Sequence, residues 1–283
     1  MNLKETYKNF LLQLQTIYSA SEASVIADWI FEHDVKITRA DIIKSPNKEI
    51  SNQTIEQLNH HLTELLQHKP VQYVLGEAWF YNIKLKVNKH VLIPRPETEE
   101  LVKLGVDSWQ LAAGNILDVG TGSGCIAIAL KKNLHAATIT AIDISENALS
   151  IAKENAAIQK TAIQFLQVDF LNEKNWQTFG MFDMIASNPP YIPADEKESL
   201  DKNVTGYEPH SALFVPDEQP LLFYEKMTAF GKEHLNNNGK ILAEIHENFA
   251  SAVLALFKTN YHHAEIKKDI FGKDRMVIAA EPR

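Results

Sequence analysis

The chain has 283 residues, of which 45% are hydrophobic and 23% are charged, a balance typical of about two folded domains and not of disordered, collagen-like or disulfide-rich chains. The formal net charge of −8 disfavours partners held mainly through phosphate contacts, since those contacts need clustered Lys and Arg. A single cysteine, Cys125, excludes an internal disulfide, and there is neither a signal-peptide pattern nor an apolar run of about 20 residues. We expect a cytoplasmic protein that contacts neither nucleic acid nor membrane directly.

The first part of the chain has the apolar spacing of amphipathic helices. Residues 3–18 carry an apolar side chain at every third or fourth position, and further helical stripes follow before Pro70. Thr38 and Asp41 have the spacing of a capping box, and the helix that precedes Pro70 should end before it. Residues 1–72 are therefore predicted to form a small all-helical domain.

Residues 73–95 are predicted to form a β-hairpin that links this domain to the rest of the chain. Apolar and polar side chains alternate over residues 79–87, which is the spacing of a strand. We expect residues 88–90 to form the turn and residues 91–93 to return as the second arm.

From residue 96 onward, strand-like apolar runs alternate with helical patterns, which predicts a Rossmann-like, doubly wound, mostly parallel α/β sheet covered by helices on both faces. The seven predicted strands are NILDV, TITAI, AIQFLQV, MFDMIAS, KILAEI and the runs around residues 261–267 and 276–280. The last two are separated by too few residues for a crossover helix, so we expect an antiparallel C-terminal hairpin. Residues 96–283 are thus predicted to form the second domain.

A glycine-rich turn follows the first of these strands and leads into a helix. The turn consists of Gly120, Thr121, Gly122, Ser123 and Gly124. Glycines permit positive φ and a close approach of a ligand to the backbone, and the helix N-terminus offers free N–H groups. Asp143 ends the next strand, about 19 residues after Gly124, where a carboxylate can accept both hydroxyls of a ribose. The alternatives are a structural turn and a helix-capping aspartate.

Asp169 and Phe170 follow the third strand, and the carboxyl ends of strands in a doubly wound sheet converge on the ligand crevice. Asp169 could accept a hydrogen bond from an adenine amino group, and Phe170 could lie against the ring. The alternative is a surface turn with a core phenylalanine.

The motif Asn188-Pro189-Pro190-Tyr191 follows the fourth strand. The two prolines fix two successive φ values and hold Asn188 extended. The Asn188 side-chain oxygen and a nearby backbone carbonyl, such as that of Pro189, can each accept one N–H of a planar NH₂ group, while Tyr191 offers an apolar wall. We predict that this motif is the catalytic and substrate-binding site, with Asn188 also next to the cofactor. A structural proline-rich turn is the alternative.

Two other features are interpreted as structural. His61, Glu64 and His68 could share one helix face, but no cysteine or second carboxylate cluster joins them, so we interpret the face as solvated and predict no metal site. Cys125, beside apolar neighbours at a helix start, is interpreted as a packed core thiol.

With these motifs the chain resembles a class I S-adenosylmethionine-dependent methyltransferase that acts on a planar nitrogen. LIPRPETEELV (Leu92–Val102) and PVQYVLG (Pro70–Gly76) make it similar to the release-factor glutamine N5-methyltransferases, the PrmC/HemK family. Tyr207-Glu208-Pro209 and the set Asp269, Gly272 and Arg275 also match family patterns. The resemblance covers nearly the whole chain.

The resemblance implies S-adenosylmethionine as methyl donor, S-adenosylhomocysteine as product, and the glutamine of the GGQ loop of peptide chain release factors as acceptor. It assigns residues 120–124, Asp143, Phe170 and Asn188 to the cofactor, and residues 188–191 to the substrate glutamine. Because the hairpin joins the two parts, we expect the helical domain to dock the release factor, and we expect a monomer.

Two positions depart from the family pattern: Phe170, where many relatives have tryptophan, and His246, where glycine is usual.

Three alternative functions stay open. A nucleic-acid methyltransferase acting on adenine N6 could use the same NPPY motif, but it must flip its base and hold phosphates. Residues 78–80 are similar to the sister family that methylates a ribosomal-protein glutamine, although residues 95–99 match the release-factor group better. A non-enzymatic adaptor that binds S-adenosylmethionine would not need the intact NPPY motif.

Overall fold

The computed structural model describes residues 2–283, which divide into two compact units. One unit contains the chain up to Gly76 together with Asp201–Tyr207, and the other contains Glu77–Leu200 and Glu208–Arg283. Among the described residues, no helix combines the length and the apolar character needed to cross a membrane.

The N-terminal part of the first unit is helical. Its helices are α1 (Leu3–Leu14), α2 (Ala20–Asp34), α3 (Arg39–Lys44), α4 (Asn52–Leu66) and α5 (Val71–Leu75). The first four begin at side-chain caps, because Asn2, Ser19, Thr38 and Ser51 each accept the backbone N–H three residues further on. Thr38 and Asp41 form the predicted capping box, which confirms that expectation. The predicted first helix over residues 3–18 ends earlier, at Leu14.

These helices share one apolar core. The rings of Tyr7 and Phe10 pack edge-on against Phe31, with centroids 5.1 and 5.6 Å apart. Leu58 and Leu65 of α4 are fully buried in the same cluster. Burying a side chain of this size stabilises a fold by about 1.5–3 kcal/mol, so the core, more than helix propensity, holds these short helices in place.

The β-hairpin is present, but the prediction of its position is wrong. Strands β1 (Glu77–Phe80) and β2 (Ile83–Lys86) pair antiparallel, so the turn lies at Tyr81 and Asn82 and not at residues 88–90. Both turn residues have positive φ, of 50° and 60°, as a two-residue turn matched to strand twist requires. The tight turn shifts the alternation: Trp79 before it is exposed, whereas the odd-numbered Ile83 after it is buried.

Residues 91–93 form no strand, because their backbone has another partner. The N–H of Ile93 donates to Oε2 of Glu208 at 3.1 Å, and Oε1 of Glu208 lies 2.5 Å from Nη2 of Arg95. This buried carboxylate holds the segment without a partner strand.

The rest of the chain, residues 94–283, contains the large sheet, six further helices and two short strands that pair with each other outside this sheet. The helices are α6 (Pro96–Asp107), α7 (Cys125–Asn133), α8 (Glu146–Gln159), α9 (Lys202–Tyr207), α10 (Leu222–His234) and α11 (Ala250–Asn260). The strands are β3 (Asn115–Val119), β4 (Thr138–Asp143), β5 (Gln164–Gln167), β6 (Phe182–Ser187), β7 (Ile192–Pro193), β8 (Phe214–Val215), β9 (Leu235–Glu244), β10 (Tyr261–Lys268) and β11 (Asp274–Pro282). Short 3₁₀ turns cover Glu173–Thr178, Ala194–Ser199, His210–Ala212 and Glu247–Phe249.

The seven-stranded sheet has the order β10-β11-β9-β6-β3-β4-β5. Strands β9, β6, β3, β4 and β5 run parallel, and β11 pairs antiparallel with both β9 and β10, which confirms the predicted sheet. The chain moves outward from β3 through β4 to β5 and then returns to β6 on the other side of β3. The carboxyl ends of β3 and β6 therefore flank the switch point, where doubly wound folds bind ligands.

Both faces of the sheet are buried, as the near-continuous apolar strands predict. On β3, Ile116 contributes to one core cluster and Leu117 to the other. The hairpin also packs into the second unit, because Phe80, Ile83 and Leu85 belong to the cluster of Ile116. The sheet is thus a rigid base for the loops at its carboxyl edge.

Helix α9 belongs to the first unit, whereas residues 96–283 as a whole were predicted to form the second domain. Within that unit, the Tyr207 hydroxyl donates to the backbone carbonyl of Gln67 at 2.8 Å. An excursion of this kind carries no local sequence signal, because only the folded chain brings residue 207 beside residue 67.

Candidate active site

One cavity of about 410 Å³ lies at the carboxyl ends of β3, β4 and β6, within the usual size of small-molecule pockets. Nine of the predicted site residues line it: Gly120, Thr121, Gly122, Ser123, Asp143, Asp169, Phe170, Asn188 and Pro190. The other three predicted residues, Gly124, Pro189 and Tyr191, adjoin lining residues in the chain but do not line the cavity themselves.

The three glycines of the turn have positive φ, of 71°, 53° and 82°, but they serve different purposes. A Cβ on Gly120 or Gly122 would meet no atom within 4 Å, so the bare backbone there leaves room for a ligand. A Cβ on Gly124 would lie 3.1 Å from Cδ1 of Ile128 and 3.2 Å from Cβ of Ala152. Gly124 therefore allows close packing of the helices behind the site.

A buried carboxylate, Asp118, anchors the turn from below. Its Oδ2 accepts the Thr121 hydroxyl at 2.6 Å and the N–H of Ala127 at 3.2 Å. Burial raises the pKa of the Asp118 carboxyl to about 7, because the charged form is desolvated. Asp118 was not predicted as a functional residue, and its contacts are with the turn and not with the cavity.

Asp143 joins the ends of β3 and β4. Its Oδ2 accepts the N–H of Gly122 at 2.9 Å, and its Oδ1 accepts the N–H of Ser145 at 2.9 Å. Ser145, and not Asp143, caps α8 by accepting the N–H of Ala148, so the helix-cap alternative for Asp143 is wrong. Burial raises the pKa of Asp143. Since a carboxylate offers about four lone pairs, both oxygens retain acceptor capacity toward the cavity.

Asp169 and Phe170 form a turn beside the same cavity. Oδ1 of Asp169 accepts the N–H of Leu171 at 3.0 Å. Phe170 is 5% exposed, and its ring packs against Trp176 and Phe230 at centroid distances of 5.7 and 5.4 Å. Phe170 is thus a core residue that also lines the cavity, and its contact with adenine stays a prediction.

Asn188 stands at the end of β6, where two contacts fix it. The preceding Ser187 donates its hydroxyl to the carbonyl of Val119 at 2.8 Å, which joins the ends of β6 and β3. Nδ2 of Asn188 donates to Oγ1 of Thr98 at 3.0 Å. The amide nitrogen is directed at Thr98, and none of the hydrogen bonds found among residues 2–283 ends at the Asn188 side-chain oxygen, so this oxygen is available as an acceptor.

Tyr191 turns its hydroxyl away from the solvent. That hydroxyl donates to Oε1 of Glu244 at 2.9 Å, and the ring packs edge-on against His246 with centroids 5.9 Å apart. Burial and the adjacent Glu244 carboxyl raise the pKa of Tyr191 well above its ordinary value. The predicted role of the ring as an apolar wall for the substrate stays a prediction.

Thr98 and Glu244 were not predicted as site residues. Thr98 lies inside LIPRPETEELV, which served only to carry the family resemblance. Glu244 ends a buried strand, which is the same signal that pointed to Asp143, so it could have been found by that rule.

Two further sequence features, both histidines, are explained by their contacts in the structure. His246 has φ −73° and accepts the N–H of Asn248 as the cap of a short 3₁₀ turn, so the position does not need glycine. The interpretation of the histidine face of α4 as solvated is wrong at His61, which is buried and whose Nδ1 lies 2.8 Å from Oδ2 of Asp34. Over residues 2–283, no group of three or more His, Cys, Asp or Glu side chains is placed to hold a metal ion.

Comparison with known proteins matches the two parts of the chain to two domain families. The model of the methyltransferase small domain matches residues 101–204, and that of the PrmC N-terminal domain matches residues 5–76. The release factor glutamine methyltransferase of Flavobacterium psychrophilum is 40% identical over 98% of this chain and 98% of its own. The enzyme of the same name from Bacteroides thetaiotaomicron is 39% identical, with 94% and 95% covered.

Among solved structures, a methyltransferase from Pyrococcus furiosus matches with a TM-score of 0.51 at 17% identity. The match covers 78% of this chain and 96% of the archaeal one. At that identity the likeness concerns the fold alone, and it agrees with the strand order described above.

Proposed function

Because the chain belongs to the release factor glutamine methyltransferases, we propose that it transfers a methyl group from S-adenosylmethionine to the side-chain amide nitrogen of the glutamine in the GGQ motif of peptide chain release factors. The observation that carries this proposal is the Asn188 amide, whose nitrogen is occupied by Thr98 and whose oxygen remains available in the wall of the cavity.

The residues of the cavity fit S-adenosylmethionine. Gly120 and Gly122 leave open space where any side chain would intrude, so a ligand can lie against the turn. Asp143 would accept the ribose hydroxyls, and Asp169 and Phe170 would hold the adenine. When bound, S-adenosylmethionine supplies a methyl group on a sulfonium, which the amide nitrogen takes with S-adenosylhomocysteine as the product.

Asn188 and Pro189 hold the acceptor amide. The available oxygen of Asn188 and the carbonyl of Pro189 would each accept one N–H of the substrate NH₂ group, which fixes the plane of the amide and directs the nitrogen lone pair at the methyl donor. An amide nitrogen is a poor nucleophile, since its lone pair is delocalised into the carbonyl. Orientation must therefore supply much of the rate, and it can contribute about 7–11 kcal/mol.

The pocket needs no general base before methyl transfer, because the nitrogen becomes strongly acidic once it is methylated and then gives one proton to water. Glu244 is a buried carboxyl behind Asn188, and both its oxygens already accept hydroxyl protons, from Thr98 and Tyr191. We assign Glu244 to structure around the site and not to proton removal. A dry site with few charges suits a reaction in which the positive charge of the donor is dispersed.

Adenine N6 methylation is not favoured. It would need a surface that grips phosphates, whereas the chain carries 36 acidic residues against 28 Lys and Arg. The two bacterial relatives described above carry the name of release factor enzymes, and none of the observations on the cavity favours a flipped base over a protein amide.

We also propose that the helical unit docks the release factor, and that the protein works as a cytoplasmic monomer without a metal. The match of residues 5–76 to the PrmC N-terminal domain supports a specialised role for this unit. On α2, Val25 and Trp29 lie one turn apart and are 49% and 43% exposed. Exposed apolar side chains on one helix face are the usual anchors of a protein contact.

The test is methylation of a purified release factor. We expect mass spectrometry to find one added methyl group on the peptide that contains the GGQ glutamine, and none on a release factor in which that glutamine is replaced by alanine. DNA and ribosomal proteins, incubated in parallel with labelled S-adenosylmethionine, serve as alternative substrates. Label in DNA or in a ribosomal protein, but not in the release factor, would overturn the proposal.

A further inference from the structure

We propose that Thr98 and Glu244 are positioning residues that set which end of the Asn188 amide faces the substrate. This inference deepens the proposed function and rests on it, because it concerns how the acceptor amide is held. The three residues form a chain of hydrogen bonds from the core to the cavity, in the order Glu244, Thr98, Asn188.

The Thr98–Glu244 contact is buried, and the Asn188–Thr98 contact is partly buried at the wall of the cavity. Oγ1 of Thr98 donates to Oε2 of Glu244 at 2.6 Å, and Nδ2 of Asn188 donates to Oγ1 of Thr98 at 3.0 Å. Thr98 is 2% exposed and Glu244 is 1% exposed. Water therefore does not compete for the Thr98–Glu244 bond, which is stronger than it would be at the surface.

The direction of these hydrogen bonds follows from the number of protons that each group can donate. A hydroxyl can donate one hydrogen bond, and the hydroxyl of Thr98 donates its bond to Glu244. Toward Asn188, Thr98 can then only accept, so it selects the NH₂ end of the amide. If the amide were reversed, the Asn188 oxygen would meet the Thr98 oxygen without a proton between them, and the Asn188 NH₂ group would face the substrate NH₂ group. The observed direction leaves an acceptor in the cavity.

Glu244 is held as an acceptor from its other side. The Tyr191 hydroxyl donates to Oε1 at 2.9 Å, so each oxygen of the carboxyl receives a hydroxyl proton. The Tyr224 hydroxyl fixes the backbone by donating to the carbonyl of Glu244 at 3.0 Å. Arg275 adds positive charge near the Glu244 carboxyl. Burial raises the pKa of the Glu244 carboxyl, whereas the hydrogen bonds from Thr98 and Tyr191 and the charge of Arg275 lower it. In its ionised form the carboxyl accepts a hydrogen bond from each hydroxyl and has no proton to donate.

The three residues come from different elements, which is why the arrangement is more than local packing. Thr98 lies in the first turn of α6, Glu244 ends β9, and Asn188 follows β6. The spacing along the chain is 146 residues between Thr98 and Glu244 and 90 between Thr98 and Asn188. One side chain, Thr98, connects the catalytic loop to the core at the position where the orientation of the amide is decided.

The first pair of variants is Thr98→Val and Thr98→Ser. Valine has the shape of threonine but no hydroxyl, whereas serine keeps it. We expect Thr98→Val to lower kcat on release factor by roughly 10- to 100-fold, with little change in KM or in S-adenosylmethionine affinity, because a misoriented amide mainly affects the transition state. By the same reasoning, Thr98→Ser should stay within about threefold of wild type. An unchanged kcat in Thr98→Val would overturn the inference.

The second pair tests the direction of the bonds. Asn188→Asp places a carboxylate oxygen against Thr98, whose proton is already given to Glu244, so we expect almost no turnover. Adding Glu244→Gln supplies an amide NH₂ that donates to Thr98, and the Thr98 hydroxyl can then donate to the carboxylate at position 188. We expect the double variant to be more active than Asn188→Asp alone, although Glu244→Gln by itself lowers activity. Additive losses would contradict the assigned direction.

A readout that does not depend on the release factor separates this inference from the proposed function. The side-chain amide of Asn188 can be followed by ¹H–¹⁵N NMR in the full-length protein, with Asn188→Ala identifying the signal. We expect the NH₂ signal to move in Thr98→Val and to stay in place in Thr98→Ser. If the signal behaves in this way but wild-type enzyme does not methylate the release factor, the proposed function fails and the orienting contact stands. If the Asn188 NH₂ signal does not move in Thr98→Val, the proposed contact between Thr98 and Asn188 is wrong.

Discussion

The backbone N–H of Gly122 donates to Oδ2 of Asp143 at 2.9 Å. This bond joins the glycine turn after β3 to the end of β4, so the carboxylate proposed to hold the ribose also shapes the turn beside it. Replacing Asp143 should therefore remove two contributions to cofactor binding together.

We expect Asp143→Ala to weaken S-adenosylmethionine binding by more than about tenfold, since hydrogen bonds to a charged group contribute about 1.5–3 kcal/mol each. Asp143→Asn, which keeps one acceptor oxygen, should have an intermediate effect. Isothermal titration calorimetry measures both. The matched control is Ser19→Ala, which removes the cap of α2 in the first unit and should cost about 1 kcal/mol of stability while affinity is retained. Equal affinity in Asp143→Ala and wild type would remove Asp143 from the cofactor site.

Asn188→Ala should abolish turnover and largely preserve S-adenosylmethionine binding. The variant loses the acceptor for the substrate amide, and loss of one preorganised polar contact to a reacting group typically costs about 10²- to 10³-fold in kcat. Single-turnover methylation of release factor gives the rate, and calorimetry gives the cofactor affinity. Product formation at a near-normal rate would refute the assigned role.

The stability of the protein should depend on pH through Asp118. Burial raises the pKa of this carboxyl in the folded state to about 7, above its value in the unfolded chain. Its contribution to stability is therefore complete below about pH 4 and is lost as the pH rises from there through about 7. Compared with Asp118→Asn, which does not titrate, the free energy of unfolding of wild type should fall by about 2–3 kcal/mol between pH values of roughly 5 and 8.

Urea unfolding at several pH values measures this difference, and other titrating groups cancel because both proteins share them. Parallel pH profiles for wild type and Asp118→Asn would show that the folded and unfolded states bind protons equally at this position.

Gly231→Ala should destabilise the second unit, although alanine favours helices. A Cβ at Gly231 in α10 would lie 2.1 Å from Oη of Tyr261 and 2.7 Å from Cδ1 of Ile241. Tyr261 is fully buried and its hydroxyl donates to the carbonyl of Thr228, so it cannot simply move aside. Overpacking of this kind costs about 1–3 kcal/mol. Thermal unfolding tests it, with Gly180→Ala, where a Cβ meets no atom within 4 Å, as the control.

Removal of the apolar side chains at Val25 and Trp29 should raise KM for intact release factor several-fold and leave kcat unchanged. The reason is that a docking contact is made equally before and during the reaction, so its loss weakens binding without touching the chemistry. Steady-state kinetics of Val25→Ala/Trp29→Ala measures the effect. Ile158→Ala, which alters an exposed residue of α8 in the second unit, is the control. An unchanged KM in the double variant would exclude this face as the docking site.

Local sequence signals are sufficient to predict site residues that lie at the ends of strands. The glycine turn, Asp143, Asp169 and Asn188 each stand where an apolar run stops at a turn, and the sheet then brings them to one cavity. The prediction of the hairpin turn is wrong for an equally local reason. Two residues in the left-handed region, Tyr81 and Asn82, reverse the chain in so little space that the alternation is typical of one continuous strand.

The sequence by itself determined the order of elements, the parallel sheet and the identity of the loops that carry the chemistry, because apolar periodicity and turn residues act over a few positions. The tertiary structure alone decided which side chains stand behind those loops. Thr98 and Glu244 are 146 residues apart, and no sequence pattern near either residue predicts the hydrogen bond between them. The acidic net charge is compatible with many folds, and it disfavoured only one class of substrate, nucleic acid. The direction of one amide, which depends on where a single hydroxyl proton goes, became visible only in the folded chain.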